Sequence, residues 1–66
     1  MRLKVNGQII ENSEATTVKE LLDEMEINPG RVAVEVNLFI IKKADYDKFV
    51  LSDKDSVEII NFVGGG

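Results

Sequence analysis

One amphipathic segment limits the folds that are open to this chain of 66 residues. Its apolar residues recur with the spacing of a single helix face, namely Val18, Leu21, Leu22 and Met25. Thr17 and Glu20 fit a capping box, which predicts that both side chains accept hydrogen bonds from backbone N–H groups at the helix start. Residues 28–30, Asn-Pro-Gly, are predicted to end the helix because proline cannot continue it. One helix covers one face of a sheet, so the remaining segments are expected to be strands.

Alternating apolar and polar residues predict strands on both sides of this helix. Leu3–Val5 and residues 8–11 flank Asn6-Gly7, a strong hairpin signal because a type I′ turn needs positive φ at both positions. Val32–Val36 has valine at alternate positions and predicts a third strand. Residues 56–63 predict a final strand that leads directly into the terminal glycines.

The stretch between the third strand and the final strand is less regular. Asn37 is predicted to begin a turn, and residues 38–41 fit either a strand or an irregular buried segment. Residues 42–48 indicate a short helical turn, residues 49–51 a short strand, and residues 52–55 a tight polar turn.

The order β-β-α-β-(β)-β predicts an α+β fold. It resembles a β-grasp, or ubiquitin-like, roll, in which one helix packs across one face of a mixed four- to five-stranded sheet. We expect residues 1–63 to form this domain and residues 64–66 to form a flexible C-terminal glycine tail.

The composition removes most ways in which side chains of this chain could perform catalysis. The chain has no cysteine and no histidine, so it offers neither a thiolate nucleophile nor an imidazole base, and the ligands of a structural zinc site are missing. Serine occurs only at positions 13, 52 and 56. The carboxylates are assigned to turns and to a solvated helix face. We therefore expect no enzymatic activity, no metal and no cofactor bound by this chain.

The net charge of −4 argues against a nucleic-acid partner and against an anionic membrane surface, because no basic patch is evident that could neutralise phosphates. An acidic domain suits basic protein partners. No apolar run has the length of a signal peptide or a bilayer span, so we expect a cytoplasmic protein. We expect it to be a monomer when free.

The sequence ends in Gly64-Gly65-Gly66. Three residues without side chains reach roughly 10 Å when extended, and they fit a narrow channel that any Cβ atom would block. We expect Gly66 to carry its α-carboxylate into the active site of a partner enzyme, with Gly64 and Gly65 in the channel. The alternative is an inert, frayed end or the remnant of a linker.

The final strand predicts a docking surface beside this tail. Alternation places Val57 and Ile59 in the core and turns the residues between them to the other face. We predict that the surface that binds partners consists of Glu58, Ile60, Phe62 and Val63. The alternative is that residues 38–41 or the edge of the sheet cover Ile60 and Phe62.

The same residues resemble the family of thiamine-biosynthesis sulfur carrier proteins (ThiS). The resemblance covers the whole chain and rests on Asn6-Gly7, on residues 17–22, 32–37 and 53–60, and on the end Phe62-Val63-Gly64-Gly65-Gly66. Lys54 departs from the family, which commonly has glycine in an Asp-Gly-Asp turn. A lysine there has to adopt whatever φ the turn requires.

The resemblance implies that a ubiquitin-activating-type adenylyltransferase uses ATP and Mg²⁺ to convert the Gly66 carboxylate into an acyl-adenylate. Sulfur from a donor such as a cysteine desulfurase then displaces AMP and leaves a thiocarboxylate. Thiazole synthase accepts this sulfur when it builds the thiazole ring of thiamine. Because the chain has no cysteine, it cannot hold sulfur as a persulfide.

Four other functions remain open from the sequence. The small subunit of molybdopterin synthase shares the fold and the Gly-Gly end, although its members tend to be longer. A sulfur carrier could also serve tRNA thiolation or amino-acid synthesis. A ubiquitin-like interaction module with an inert tail is an alternative of a different class, and protein conjugation is a further one.

Overall fold

The central strand of the sheet is the last one in the sequence. The computed structural model describes residues 1–62 and contains strands β1 (Leu3–Val5), β2 (Gln8–Ile10), β3 (Val32–Val36), β4 (Phe39–Ile41) and β5 (Ser56–Asn61) and helix α1 (Val18–Glu24). The strands form one sheet in the order β2-β1-β5-β3-β4. β5 runs parallel to β1 and antiparallel to β3. This mixed sheet with one helix confirms the predicted α+β fold, and β4 shows that residues 39–41 are a strand.

Asn6 joins the first hairpin to the central strand. Asn6 and Gly7 have φ of 49° and 83°, as the predicted type I′ turn requires. β1 pairs with β5 only through Lys4 and Val5, and Asn6 extends this contact. Its amide oxygen accepts from the Ile59 N–H at 2.7 Å, and its amide nitrogen donates to the Ile59 carbonyl at 3.3 Å. The Asn6 side chain therefore makes the two hydrogen bonds to Ile59 that the backbone of a longer β1 would otherwise make.

The start of α1 follows the prediction with one difference. The Thr17 hydroxyl accepts from the Glu20 N–H at 3.2 Å. The Glu20 carboxylate, however, binds the N–H and hydroxyl of Thr16, one residue before the position that a capping box would use. These bonds, led by the one from the Thr16 hydroxyl, lower the pKa of the Glu20 carboxyl.

The end of α1 lies earlier than residues 28–30, so that prediction was wrong. The N–H groups of Glu26 and Ile27 bind the carbonyls of Asp23 and Leu22 at 3.0 and 2.8 Å. Glu26 has a φ of 59°, and together these features form a Schellman motif. Pro29–Arg31 forms a separate 3₁₀ turn. No helix within residues 1–62 has the length and apolar character needed to cross a membrane.

The core lies between α1 and one face of the sheet. It contains the helix residues Val18, Leu21 and Leu22, with Met25 half-buried at its margin, and the alternating valines of β3. Tyr46 is also buried, and its hydroxyl donates to the Val32 carbonyl at 3.1 Å. Burial raises the pKa of the Tyr46 phenol.

Three predicted elements between β3 and the end of the chain can be compared with the structure. Lys43–Asp45 forms the short helical turn that was predicted. Residues 49–51 are not a strand of the sheet, because only an isolated bridge joins Val50 to Thr17. β5 ends at Asn61, although the Phe62 N–H still binds the Arg31 carbonyl at 3.0 Å. Residues 63–66 lie outside the described part of the chain.

Lys54, which stands where the family commonly has glycine, adopts a positive φ. Its φ is 72°, in the left-handed region where a side chain costs roughly 1–2 kcal/mol. Its N–H donates to the Arg2 carbonyl at 2.6 Å. This bond ties the turn before β5 to the start of β1 and offsets part of the strain.

Replacing Asn6 tests how β5 is held. Asn6→Gly keeps a residue that accepts positive φ but removes both amide contacts to Ile59. We expect the free energy of unfolding to fall by about 1–3 kcal/mol and the Ile59 amide to exchange faster in NMR. Asn12→Gly is the matched control, because Asn12 is exposed and also has a positive φ, of 62°. Equal effects of the two changes would contradict this role for Asn6.

Candidate functional site

The predicted docking residues lie on and just beyond β5, on the face of the sheet opposite α1, here named the open face. Val57 and Ile59 are buried against the helix, whereas Glu58 is exposed. Ile60 is 49% exposed and Phe62 is 54% exposed. The alternation that the sequence predicts is therefore confirmed. Val63, Gly64, Gly65 and Gly66 lie outside the described residues.

Cross-strand register shows which residues surround this surface. Ile60 pairs with Ala33, and Glu58 pairs with Glu35, both across β5 and β3. Ile40 of β4 pairs with Glu35 and belongs to the same face. Nearer the start of β5 the open face thus carries two carboxylates side by side, and toward its end it becomes apolar.

The β3–β4 hairpin does not cover Ile60 and Phe62. The hairpin residues Leu38, Phe39 and Ile40 are themselves 86%, 74% and 75% exposed. The turn residue Asn37 donates its N–H to the Ser56 carbonyl at 2.7 Å, so the hairpin tip lies beside the start of β5. Phe62 lies beyond the opposite end of that strand. The alternative in which residues 38–41 bury the docking surface is therefore wrong.

Phe62 is held at the end of the sheet by the backbone carbonyl of Arg31 and by the side chain of Lys43. The Phe62 N–H binds the Arg31 carbonyl, which fixes its backbone beside the start of β3. The Lys43 ammonium lies 4.8 Å from the centre of the Phe62 ring, within the range of a cation–π interaction. The same ammonium donates to the Gly30 carbonyl at 3.2 Å. The last described residue before the tail is thus positioned by backbone and side chain.

Sequence reasoning missed the contribution of Arg31 and Lys43. Each is a surface cation in a separate segment, and neither forms a recognisable motif with Phe62 in the sequence. The pairing of β3 with β5 brings Arg31 to the end of β5, and the 3₁₀ turn after β4 brings Lys43 over the ring. These three residues can be placed together only when the order and pairing of the strands are known.

The described part of the site is suited to binding a protein surface. It offers an apolar surface, carboxylates on one side and cations on the other. Within residues 1–62 there is no group of three or more carboxylates placed to hold a metal ion. What the arrangement can do is fix the backbone and ring of Phe62 at the end of the sheet while the side chains of the open face stay exposed.

Comparison with known proteins gives one consistent family. The model of the ThiS family matches residues 2–66. The sulfur carrier protein ThiS of Bacillus subtilis is 38% identical over 65 residues, which cover 97% of this chain and 98% of that protein. A crystal structure of the thiamine biosynthesis protein (ThiS) from Geobacter metallireducens has a TM-score of 0.81 and 33% identity, and the match covers all of both chains.

A larger protein also contains a similar segment. The thiazole synthase of Paramagnetospirillum magneticum is 41% identical over 66 residues, which cover 100% of this chain but 20% of that protein. The thiazole synthase of Magnetococcus marinus matches over the same shares at 33% identity. This chain therefore spans about a fifth of the length of these two relatives.

Charge introduced at Phe62 tests whether this residue serves docking or folding. Phe62→Asp should change the free energy of unfolding by about 1 kcal/mol or less, since it loses only an exposed cation–π contact. It should weaken binding to the partner that accepts the tail by roughly tenfold or more, as aromatic residues at interface centres do. Urea unfolding and calorimetric binding measure the two effects.

The matched control changes the neighbouring core residue of the same strand. Ile59→Asp buries an unpaired charge and should lower the free energy of unfolding by about 3 kcal/mol or more. If Phe62→Asp unfolds the protein as Ile59→Asp does, Phe62 belongs to the core and the face assignment is wrong.

Proposed function

Because the chain belongs to the ThiS family, we propose that it is the sulfur carrier of thiamine biosynthesis. The observation that carries this proposal is the position of β5, which is held between β1 and β3. The exposed Ile60 lies near its end and the exposed Phe62 one residue beyond it, and Val63 alone separates Phe62 from the glycines. The relative from Bacillus subtilis that matches over nearly its whole length is a sulfur carrier protein, which supports the same role.

The reactive group is the α-carboxylate of Gly66, taken as the last residue of the functional protein. One carboxylate oxygen attacks the α-phosphorus of ATP on the activating enzyme, and pyrophosphate leaves. Sulfide can then attack the acyl carbon and displace AMP, which leaves a thiocarboxylate. If the nucleophile is the persulfide of a donor enzyme, AMP leaves an acyl disulfide, and a thiol reduces its S–S bond to release the thiocarboxylate. ATP and Mg²⁺ belong to the adenylyltransferase. The carrier is a cosubstrate of these reactions and contributes no catalytic side chain.

Gly64 and Gly65 allow this carboxylate to enter a closed active site. A residue with a Cβ atom needs a wider channel, whereas glycine lets the walls approach the backbone. Ordering glycine lowers the affinity because its backbone loses more entropy than that of other residues. Binding of the partner to the docking surface, which consists of Glu58, Ile60, Phe62 and Val63, offsets this loss.

Thiazole synthase is the proposed acceptor of the sulfur. A segment similar to this whole chain lies within two proteins named thiazole synthase, and a carrier joined to its acceptor in one polypeptide would supply the sulfur where it is used. The adenylyltransferase and a sulfur donor such as a cysteine desulfurase complete the proposed set of partners. The cytoplasmic location and the monomeric state remain predictions from the sequence.

Intact-mass spectrometry tests the carrier chemistry. Incubation with the cognate adenylyltransferase, ATP, sulfide and a reducing thiol should raise the mass by the difference between one sulfur and one oxygen atom. Deleting Gly66, or adding an alanine after it, should abolish the change without altering the thermal unfolding, because the core of the described domain consists of residues that precede Ile60.

The controls distinguish a carrier from an inert module. The mass change should require ATP and should be lost when the adenylyltransferase is omitted. An unmodified mass with an enzyme that is active on its own carrier would overturn the proposal, and so would modification of the variant extended by alanine at an undiminished rate.

A further inference from the structure

The charges of this acidic chain are separated along the fold. Residues 29–43, which form β3, β4 and the turns beside them, hold three basic residues and one acidic residue. The remaining residues hold five basic and eleven acidic ones. The net charge of −4 therefore hides a basic segment, and this segment meets the end of β5 from which the tail leaves.

The three basic residues of this segment lie near the end of β5 that carries Ile60 and Phe62. Lys43 lies over the Phe62 ring, and the Arg31 carbonyl holds the Phe62 N–H. Lys42 has an extended backbone and follows the buried Ile41, so alternation turns its side chain to the open face. All three cations are exposed. We name Arg31, Lys42 and Lys43 together the basic patch.

The basic patch has no acidic partner within the described part of the chain. The ion pairs of residues 1–62 join Arg2 to Glu11 and Lys19 to Asp23, and both lie away from the end of β5. The contacts that orient Lys43, a carbonyl at 3.2 Å and an aromatic face, leave its charge unneutralised. Folding of residues 1–62 thus positions the charge of this ammonium without compensating it.

We propose that the basic patch binds a protein surface rich in carboxylates that surrounds the tail-entry channel of the activating enzyme. This inference rests on the proposed function, because it takes the partner to be the enzyme that receives the tail. Ile60 and Phe62 occupy an apolar pocket at the centre of that interface, and the three cations form its rim opposite acidic side chains.

Charge separation also orients the encounter. The acidic face of α1, with Glu20, Asp23 and Glu24 exposed, is repelled by an acidic entry surface, whereas the basic patch is attracted. Charges at the rim of an interface act chiefly on the association rate and on its dependence on salt. The first contact of the partner is therefore with the end of the sheet that carries the tail.

Charge reversal tests this inference. The triple variant Arg31→Glu, Lys42→Glu, Lys43→Glu should associate with the cognate adenylyltransferase roughly tenfold more slowly at low ionic strength. The matched control, Lys19→Glu, Lys48→Glu, Lys54→Glu, changes the net charge equally but lies away from the open face and should retain most of the rate. Heteronuclear NMR spectra verify that both variants are folded. The difference between them should shrink as salt is raised toward 1 M, where the screening length falls to about 3 Å.

The same comparison in a background that lacks residues 64–66 separates this inference from the carrier chemistry. If the basic patch contacts the partner, its reversal slows association without the tail as well. Equal rates for the two triple variants overturn the inference, as does an effect that disappears when residues 64–66 are deleted. If the unaltered protein binds but never acquires sulfur, the carrier function fails while the rates still report on the basic patch.

Discussion

The pairing of β5 with a strand on each side is the constraint on which the structure depends. β3 binds it along five residue pairs, whereas β1 contributes only two. The Asn6 amide makes up part of this difference by binding both backbone groups of Ile59. Because backbone groups inside a sheet must be satisfied, this contact lets a three-residue strand support a longer one. The strand that leads to the tail is consequently supported by backbone hydrogen bonds on both sides.

That arrangement gives the terminal segment a defined starting point. Val57 and Ile59 anchor β5 in the core, and the intervening side chains reach the open face. Phe62 lies one residue beyond the strand and is held by Arg31 and Lys43. A carrier needs both a tail slender enough to enter an active site and a domain that a partner can recognise. In the proposed function, the recognition surface and the start of the tail belong to the same few residues.

Local patterns predicted those parts of the fold that are encoded within a few residues. Alternation located the two faces of β5, and Asn6-Gly7 predicted the first turn, but the contact of Asn6 with Ile59 joins positions that are distant in sequence. The end of α1 was misplaced because Glu26 adopts a conformation usually associated with glycine or asparagine. Residues 49–51 have strand-like composition, yet Val50 makes one isolated bridge. Lys43 could not be assigned to the site because only the sheet topology brings it to Phe62.

NMR titration of the isotopically labelled protein with the activating enzyme tests most directly whether the open face and the tail act together. We expect the amide signals of Ile60, Phe62 and the basic patch to shift or broaden at the lowest enzyme concentrations. The signals of Asp23 and its exposed neighbours on α1 should stay unchanged. Perturbation confined to α1, with none at the end of β5, would contradict the central claim that the sheet presents the tail to its partner.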